Sequence, residues 1–129
     1  MTILLDTHAL LWWSVSPSQL SAAAVGAIDS ADELAVCAMT WWEIASAVRR
    51  GGIAPRIPVG SWLQDLAREV RTIPITPAIA VAAAQLPRDV PSDPGDRLIY
   101  ATAVEHGWRL VSKDQRLRAA DTSGNIVIW

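Results

Sequence analysis

Four acidic residues, Asp6, Glu43, Asp96 and Asp114, each stand where an apolar strand-like run ends or an apolar helical pattern begins. Asp6 closes Ile3-Leu4-Leu5, and Asp114 follows Leu110-Val111-Ser112. Glu43 and Asp96 fall in the first turns of two helical patterns. In an α/β fold such positions converge at the carboxyl edge of a parallel sheet, where ligands bind. Carboxylates gathered there, in a chain with one cysteine and two histidines, suit a hard cation such as Mg²⁺ or Mn²⁺. A cation held by acids that do not saturate it is a common device for cutting phosphodiesters. The pattern predicts a metal-dependent nuclease.

Each acid also has a local explanation. Thr40-Trp41-Trp42-Glu43 fits a capping box, with Glu43 reaching back to the Thr40 N–H. Asp93 before Pro94 reads as an N-cap, and Asp96 three residues on is favoured by the helix dipole. Asp6 and Asp114 could cap the helices they precede. A cap needs one oxygen acceptor, however, and serine or threonine supplies it. Four carboxylates facing one another cost free energy unless a cation compensates them. As a set they exceed what helix stability requires.

Other chemistries fit less well. No serine lies in a nucleophile elbow, and no glycine-rich phosphate loop is present. His8 and His106 lack metal-ligand spacing, and local packing is expected for His8. Arg49, Arg50, Arg116 and Arg118 are solvated by default. In a nuclease, Arg49, Arg50, Arg97 and Arg116 are candidates for holding phosphates, contacts that set position rather than sequence. Seven tryptophans with no phenylalanine are unusual. Trp12-Trp13 and Trp41-Trp42 are adjacent pairs on helices, where neighbours point about 100° apart, so one of each pair is a candidate for a protein interface.

The elements that must position these residues alternate. Strands are expected at Ile3–Asp6, Leu34–Ala38, Thr72–Ile75, Arg109–Ser112 and Ile126–Ile128. Helices are expected from His8 to Trp13, from Ser18 as N-cap to Ala31, and from Thr40 to Arg50. Others follow at Ser61–Arg71, from Thr76-Pro77 to Leu86, from Asp93-Pro94 to His106, and at Asp114–Ala120. Alternation of this kind predicts an α/β fold, a three-layer α/β/α sandwich on a mostly parallel five-stranded sheet with right-handed crossovers.

The 129 residues are expected to form a single domain, 1–129, of ordinary globular composition, about half apolar and a fifth charged. The start of the chain lacks a basic segment and meets Asp6 at once, so no signal peptide is expected. Cys37 sits in an apolar run and reads as a buried small residue in a reducing cytoplasm. A net charge of −2 weighs against a nucleic-acid ligand. Two divalent cations would bring the total to about +2.

Leu4-Leu5-Asp6-Thr7-His8, Trp42-Glu43-Ile44-Ala45, Asp93-Pro94-Gly95-Asp96-Arg97-Leu98-Ile99-Tyr100-Ala101-Thr102-Ala103 and Ser112-Lys113-Asp114 resemble, in order and spacing, the PIN domain, and within it the VapC-type ribonuclease toxins of prokaryotic toxin–antitoxin modules. The resemblance spans essentially the whole chain. It implies a Mg²⁺- or Mn²⁺-dependent endoribonuclease, usually a homodimer, inhibited by a VapB-like antitoxin. It implies Asp6 and Asp96 as principal metal ligands, Glu43 and Asp114 completing the site, and Asp93, Thr7 and Ser112 as accessory residues. Gly95 stands where many relatives carry an aromatic residue, and is expected to loosen the loop beside Asp96; Ser112 stands where many carry threonine. Two rival readings are a catalytically silent PIN-like binding module and a receiver-like phosphoacceptor. The latter would want an acidic neighbour for Asp6 and an acceptor aspartate after the third strand, where Thr76-Pro77 stands instead.

Overall fold

A computed structural model describes residues 1–129. Five strands, β1 (Thr2–Leu5), β2 (Glu33–Cys37), β3 (Arg71–Ile73), β4 (Arg109–Val111) and β5 (Val127–Ile128), form one sheet in the order β3-β2-β1-β4-β5. Every pairing is parallel. Seven helices cover the sheet: α1 (Thr7–Val15), α2 (Ala22–Ser30), α3 (Met39–Arg49), α4 (Val59–Glu69), α5 (Pro77–Ala84), α6 (Pro94–His106) and α7 (Gln115–Ala120). No helix is long and apolar enough to cross a membrane.

The strands read as nearly continuous apolar runs because both faces are buried. Leu4, Ala35, Cys37 and Leu110 point into one core, with Ile79, Ile99, Tyr100 and Leu117 from the helices. Ile3, Leu5, Val36 and Val111 point into the other, with Leu10, Ala24, Ile28 and Ile44. The period-two alternation of β1 and β2 thus divides the two layers. Cys37 is buried among them, as expected of a small apolar residue.

Strand order fixes where a ligand can bind. From β1 the chain builds outward through β2 to β3, then returns to β4 on the other side of β1. The switch point therefore lies at the carboxyl ends of β1 and β4, which are in register through Leu5 and Val111. Asp6 and Ser112 are the next residues on those two strands.

Three helix starts differ from the sequence expectation. The segment after Pro17 is a short 3₁₀ turn, Pro17–Gln19, and α2 begins only after Ser21, whose hydroxyl accepts from the Ala24 N–H at 3.1 Å. Ser18 caps nothing. In α3 the N-cap is Ala38, not Thr40, and the capping box does not form. Helix α4 starts two residues early, at Val59 behind Pro58. The helices opened by Thr76-Pro77 and Asp93-Pro94 begin as their sequences dictate, and α6 ends on Gly107 at φ +66°.

Candidate active site

A cleft of about 570 Å³ opens at the switch point, and Asp6, Glu43, Asp93, Asp96 and Asp114 all line it. Four different segments deliver these acids. Asp6 ends β1 and caps α1, accepting from the Ala9 N–H at 2.8 Å. Asp114 follows β4 and caps α7, accepting from the N–H groups of Arg116 and Leu117 at 2.8 and 3.3 Å. Asp93 caps α6 by accepting from the Asp96 N–H at 3.1 Å, which turns Asp96 into the first turn of that helix. Glu43 projects from α3.

Hydroxyls hold two of the acids in place. The Thr7 hydroxyl donates to Glu43 Oε1 at 2.6 Å and lies 3.1 Å from the hydroxyl of the fully buried Thr40. Glu43 is thereby drawn across to α1, which is why it does not reach back to the Thr40 N–H. The buried Ser112 hydroxyl accepts from the Asp114 N–H at 3.1 Å and lies beside the Asp6 carboxylate, whose pKa it lowers. One serine thus links the acids of two neighbouring strands.

Gly95 shapes the floor. It is buried inside the first turn of α6, and a Cβ added there would meet Glu43 Oε2 at 2.7 Å and Asp93 Oδ1 at 3.0 Å. Gly95 lies within α6, not in a loop. The missing side chain instead makes room for the Glu43 carboxylate.

The electrostatics record crowding. Burial pushes the Asp6 carboxyl up despite hydrogen bonds from Ser112 and the Ala9 N–H, with the Asp114 charge adding to the rise. Burial also raises Glu43, against the Thr7 hydrogen bond, and Asp93 and Asp6 raise it further. Asp96 is pushed up to about 6, first by burial and then by the charges of Asp93, Asp114 and Glu43. Burial works on Asp114 in the same sense, but hydrogen bonds from the Arg116 side chain and backbone and from the Leu117 N–H outweigh it and hold that carboxyl low.

Arg116 sets its guanidinium between Asp96 and Asp114, at 3.5 and 3.3 Å. Arg50 also lines the cleft. Arg49, exposed at the last turn of α3, does not. Arg97 is a correction: its guanidinium donates to the carbonyls of Ala83 at 2.9 Å and Leu86 at 2.6 Å, and reaches Val90. It clamps the end of α5 onto α6 and is spent on backbone, not on phosphate. On a helix the residue after Asp96 points about 100° away from it.

Thr40, read as a cap, is the residue of this region that sequence reasoning missed; His8, for which the sequence favours local packing over a reach into the site, lines the cleft. The spacing of Thr40 three before Glu43 was visible, but its contact with Thr7 was not. A second cleft, of about 630 Å³, lies at the amino ends of the strands beside Asp32, Glu33 and Arg71. There Asp32 and Glu33 are paired with the amino terminus and Arg71, while Asp29 and Glu69 also line it; unlike the first cleft, it lies at the end of the sheet away from the switch point.

A parallel sheet with carboxylates crowded at its switch point defines a recognisable class. Residues 3–122 match the PIN domain family model, and the chain belongs to that family. It is 54% identical over 128 residues, 99% of this chain and 98% of the relative, to Ribonuclease VapC22 of Mycobacterium tuberculosis (strain ATCC 25618 / H37Rv), which places it with the VapC toxins of toxin–antitoxin modules. Its fold is shared with VapBC-1 from nontypeable Haemophilus influenzae at a TM-score of 0.73 and 14% identity, covering 98% of this chain and 96% of that one. It is shared equally with a toxin–antitoxin complex from Klebsiella pneumoniae at a TM-score of 0.69 and 20% identity, covering 98% and 96%.

Proposed function

We propose that the chain is the endoribonuclease toxin of a toxin–antitoxin pair, hydrolysing RNA phosphodiesters at its cluster of carboxylates with Mg²⁺, for which Mn²⁺ can substitute. The observation that carries this reading is the convergence of Asp6, Glu43, Asp96 and Asp114 on one cleft with three of their four pKa values raised. Such a site stores unfavourable charge that a cation relieves.

The donor set suits that cation. It is all oxygen, and Arg116 already stands as a positive charge between two of the acids. No group of three or more acids is spaced to hold an ion in this structure, so the carboxylates would have to draw together around it or reach it through its waters. Asp6 and Asp96 would be the principal ligands, Glu43 and Asp114 would complete the site, and Asp93 would support it. When bound, the cation supplies Lewis-acid polarisation of the phosphate and activation of water.

The remaining residues prepare the site. Thr7 fixes Glu43, and Ser112 fixes Asp6 against Asp114. Arg50 and Arg116 flank the cleft and would hold the phosphates on either side of the cut, Arg116 exchanging its carboxylates for the substrate.

Antitoxin binding has its own surface in this reading. A groove of about 540 Å³ between α1 and the loop before α4 is lined by Leu11, Trp12, Val15, Ile53, Ile57 and Trp62, and would take an apolar segment of a VapB-like protein. The tryptophan pairs divide: Trp13 packs on the core while Trp12 faces the groove. Trp41 packs on the core and donates its Nε1–H to Thr72 Oγ1 at 3.0 Å, while Trp42 is 66% exposed. Trp42 would anchor the second copy of a cytoplasmic homodimer. Incubating the partner-free chain with RNA and Mn²⁺, then with EDTA, tests the activity. Intact RNA in both would leave the silent binding module as the better reading.

A further inference from the structure

We infer that His8, Trp12, Trp129 and Lys113 form a stacking subsite for an unpaired nucleotide beside the cleaved bond, an inference that rests on the ribonuclease reading of the neighbouring cleft. Three segments far apart in sequence build it. His8 and Trp12 lie one turn apart on α1, with ring centroids 5.5 Å apart. Trp129, which follows β5, sets its indole 5.7 Å from that of Trp12. Lys113, on the segment after β4, holds its Nζ 5.6 Å from the Trp12 centroid and 6.0 Å from that of Trp129.

The cluster adjoins the acids directly. His8 lines the cleft, and Lys113 lies between Ser112 and Asp114 in the chain. The indole of Trp12 belongs to neither core; it packs on His8 and Trp129 and borders the apolar groove beside α1. Lys113 is the chain's one lysine and is exposed, with a flexible stem that lets the ammonium move from the rings to a phosphate. Aromatic faces beside a movable cation are what an unpaired nucleotide needs, because every base has a face to stack. The site also requires such attraction, since its carboxylates repel the backbone it is to cut.

The test uses a pool of unstructured oligoribonucleotides of randomised sequence, with Mn²⁺, and compares wild type with Trp12→Leu, Trp129→Leu and Trp129→Tyr. The leucine variants are expected to raise KM roughly five- to hundredfold with kcat little changed, and Trp129→Tyr to restore most of the loss. A cleaved oligonucleotide resynthesised with an abasic nucleotide next to the cut should weaken wild type and leave the leucine variants where they are. If Trp129→Leu fails to fold, Trp12→Leu carries the test, its ring lying outside both cores. An unchanged KM in the leucine variants overturns the subsite. So does unchanged cleavage with lost binding of the antitoxin, which would assign the rings to the protein partner. A wild-type chain that leaves the whole pool intact overturns the ribonuclease reading instead, and the subsite's ligand with it.

Discussion

Replacing Asp96 with asparagine should stabilise the metal-free chain while abolishing cleavage. Its carboxyl is raised from 3.8 to about 6, so in that window the folded chain holds a proton that the unfolded chain has released. Stability must then fall as pH rises from 3.8 to about 6. At about 1.36 kcal/mol per tenfold change in acidity, the whole shift corresponds to about 3 kcal/mol at neutral pH. About a quarter of the side chain is open to solvent, and screening reduces the penalty to about 1–2 kcal/mol. Asparagine removes it but forfeits the helix-dipole interaction of the carboxylate, about 0.3–1 kcal/mol. The difference lies between about 0 and 1.7 kcal/mol with a midpoint of about 0.9, a gain of roughly 3–5 °C in Tm at the midpoint for a domain of this size. Thermal melts in EDTA from pH 4 to 8 should show the variant more stable above about pH 6 and flatter through the window because Asp96 no longer titrates, with a residual slope from Asp6 and Glu43, which retain their own shifts in the same sense. Mn²⁺ should raise the Tm of wild type more than that of the variant. An asparagine variant that melts lower in EDTA and still cleaves RNA would refute the charge-cluster argument, since dipole loss alone predicts that sign.

The other predictions follow from single contacts. Exhaustive chelation should end RNA cleavage and Mg²⁺ or Mn²⁺ should restore it, read on a gel; undiminished cleavage in EDTA rules the mechanism out. Thr7→Val removes the donor that lowers the Glu43 pKa, so that pKa rises and the acid limb of the pH–rate profile moves to higher pH; an unmoved limb would show that Glu43 ionisation does not govern the rate. Gly95→Ala should fold, because the atom it meets first is the tip of the flexible Glu43 side chain, yet displace that carboxylate and lower kcat; wild-type kcat would mean the position of Glu43 is immaterial. Arg97→Leu should destabilise by about 2 kcal/mol by stranding carbonyls at the end of α5, with RNA affinity unchanged in whatever fraction stays folded. Lost affinity at full stability would return Arg97 to the phosphate contacts.

Much of the architecture was legible because local and global signals agree. All five strands lie close to their expected places, since runs such as Ile3-Leu4-Leu5 can only be buried on both faces, and that requirement selects a parallel sheet. Caps written in the chain as Thr76-Pro77 and Asp93-Pro94 formed as written. The Thr40 cap did not, because a tertiary partner 36 residues from Glu43 outbid the local one. The short-range box offered Glu43 one backbone N–H, whereas Thr7 offers a hydroxyl already paired with buried Thr40. No spacing rule in one dimension carries that competition. Arg97 failed for a related reason: adjacency to Asp96 in sequence is divergence on a helix.

The two explanations weighed for the acids, helix cap and ligand site, prove compatible at atomic detail. Asp6, Asp93 and Asp114 each cap a helix through Oδ1. A cap takes one carboxylate oxygen and fixes the plane of the group, leaving the second available to another partner, as Asp114 Oδ2 is to Arg116. Serine or threonine at those positions would cap as well but leave nothing behind to face a ligand. Capping is therefore what aims these acids, and the choice of carboxylate over hydroxyl is what the site requires. Asp96 and Glu43 cap nothing: Asp96 pairs with Arg116 and Glu43 accepts from the Thr7 hydroxyl. They are the two raised acids whose surplus charge helix formation does not explain. If one ion is held chiefly by Asp6 and Asp96, its effect should be largest on those two, both raised by burial. Carboxyl titration by NMR, with and without Mg²⁺, should then show Asp6 and Asp96 falling furthest, while Asp114, already held low by Arg116, moves least; a uniform fall across the acids would contradict this division of labour.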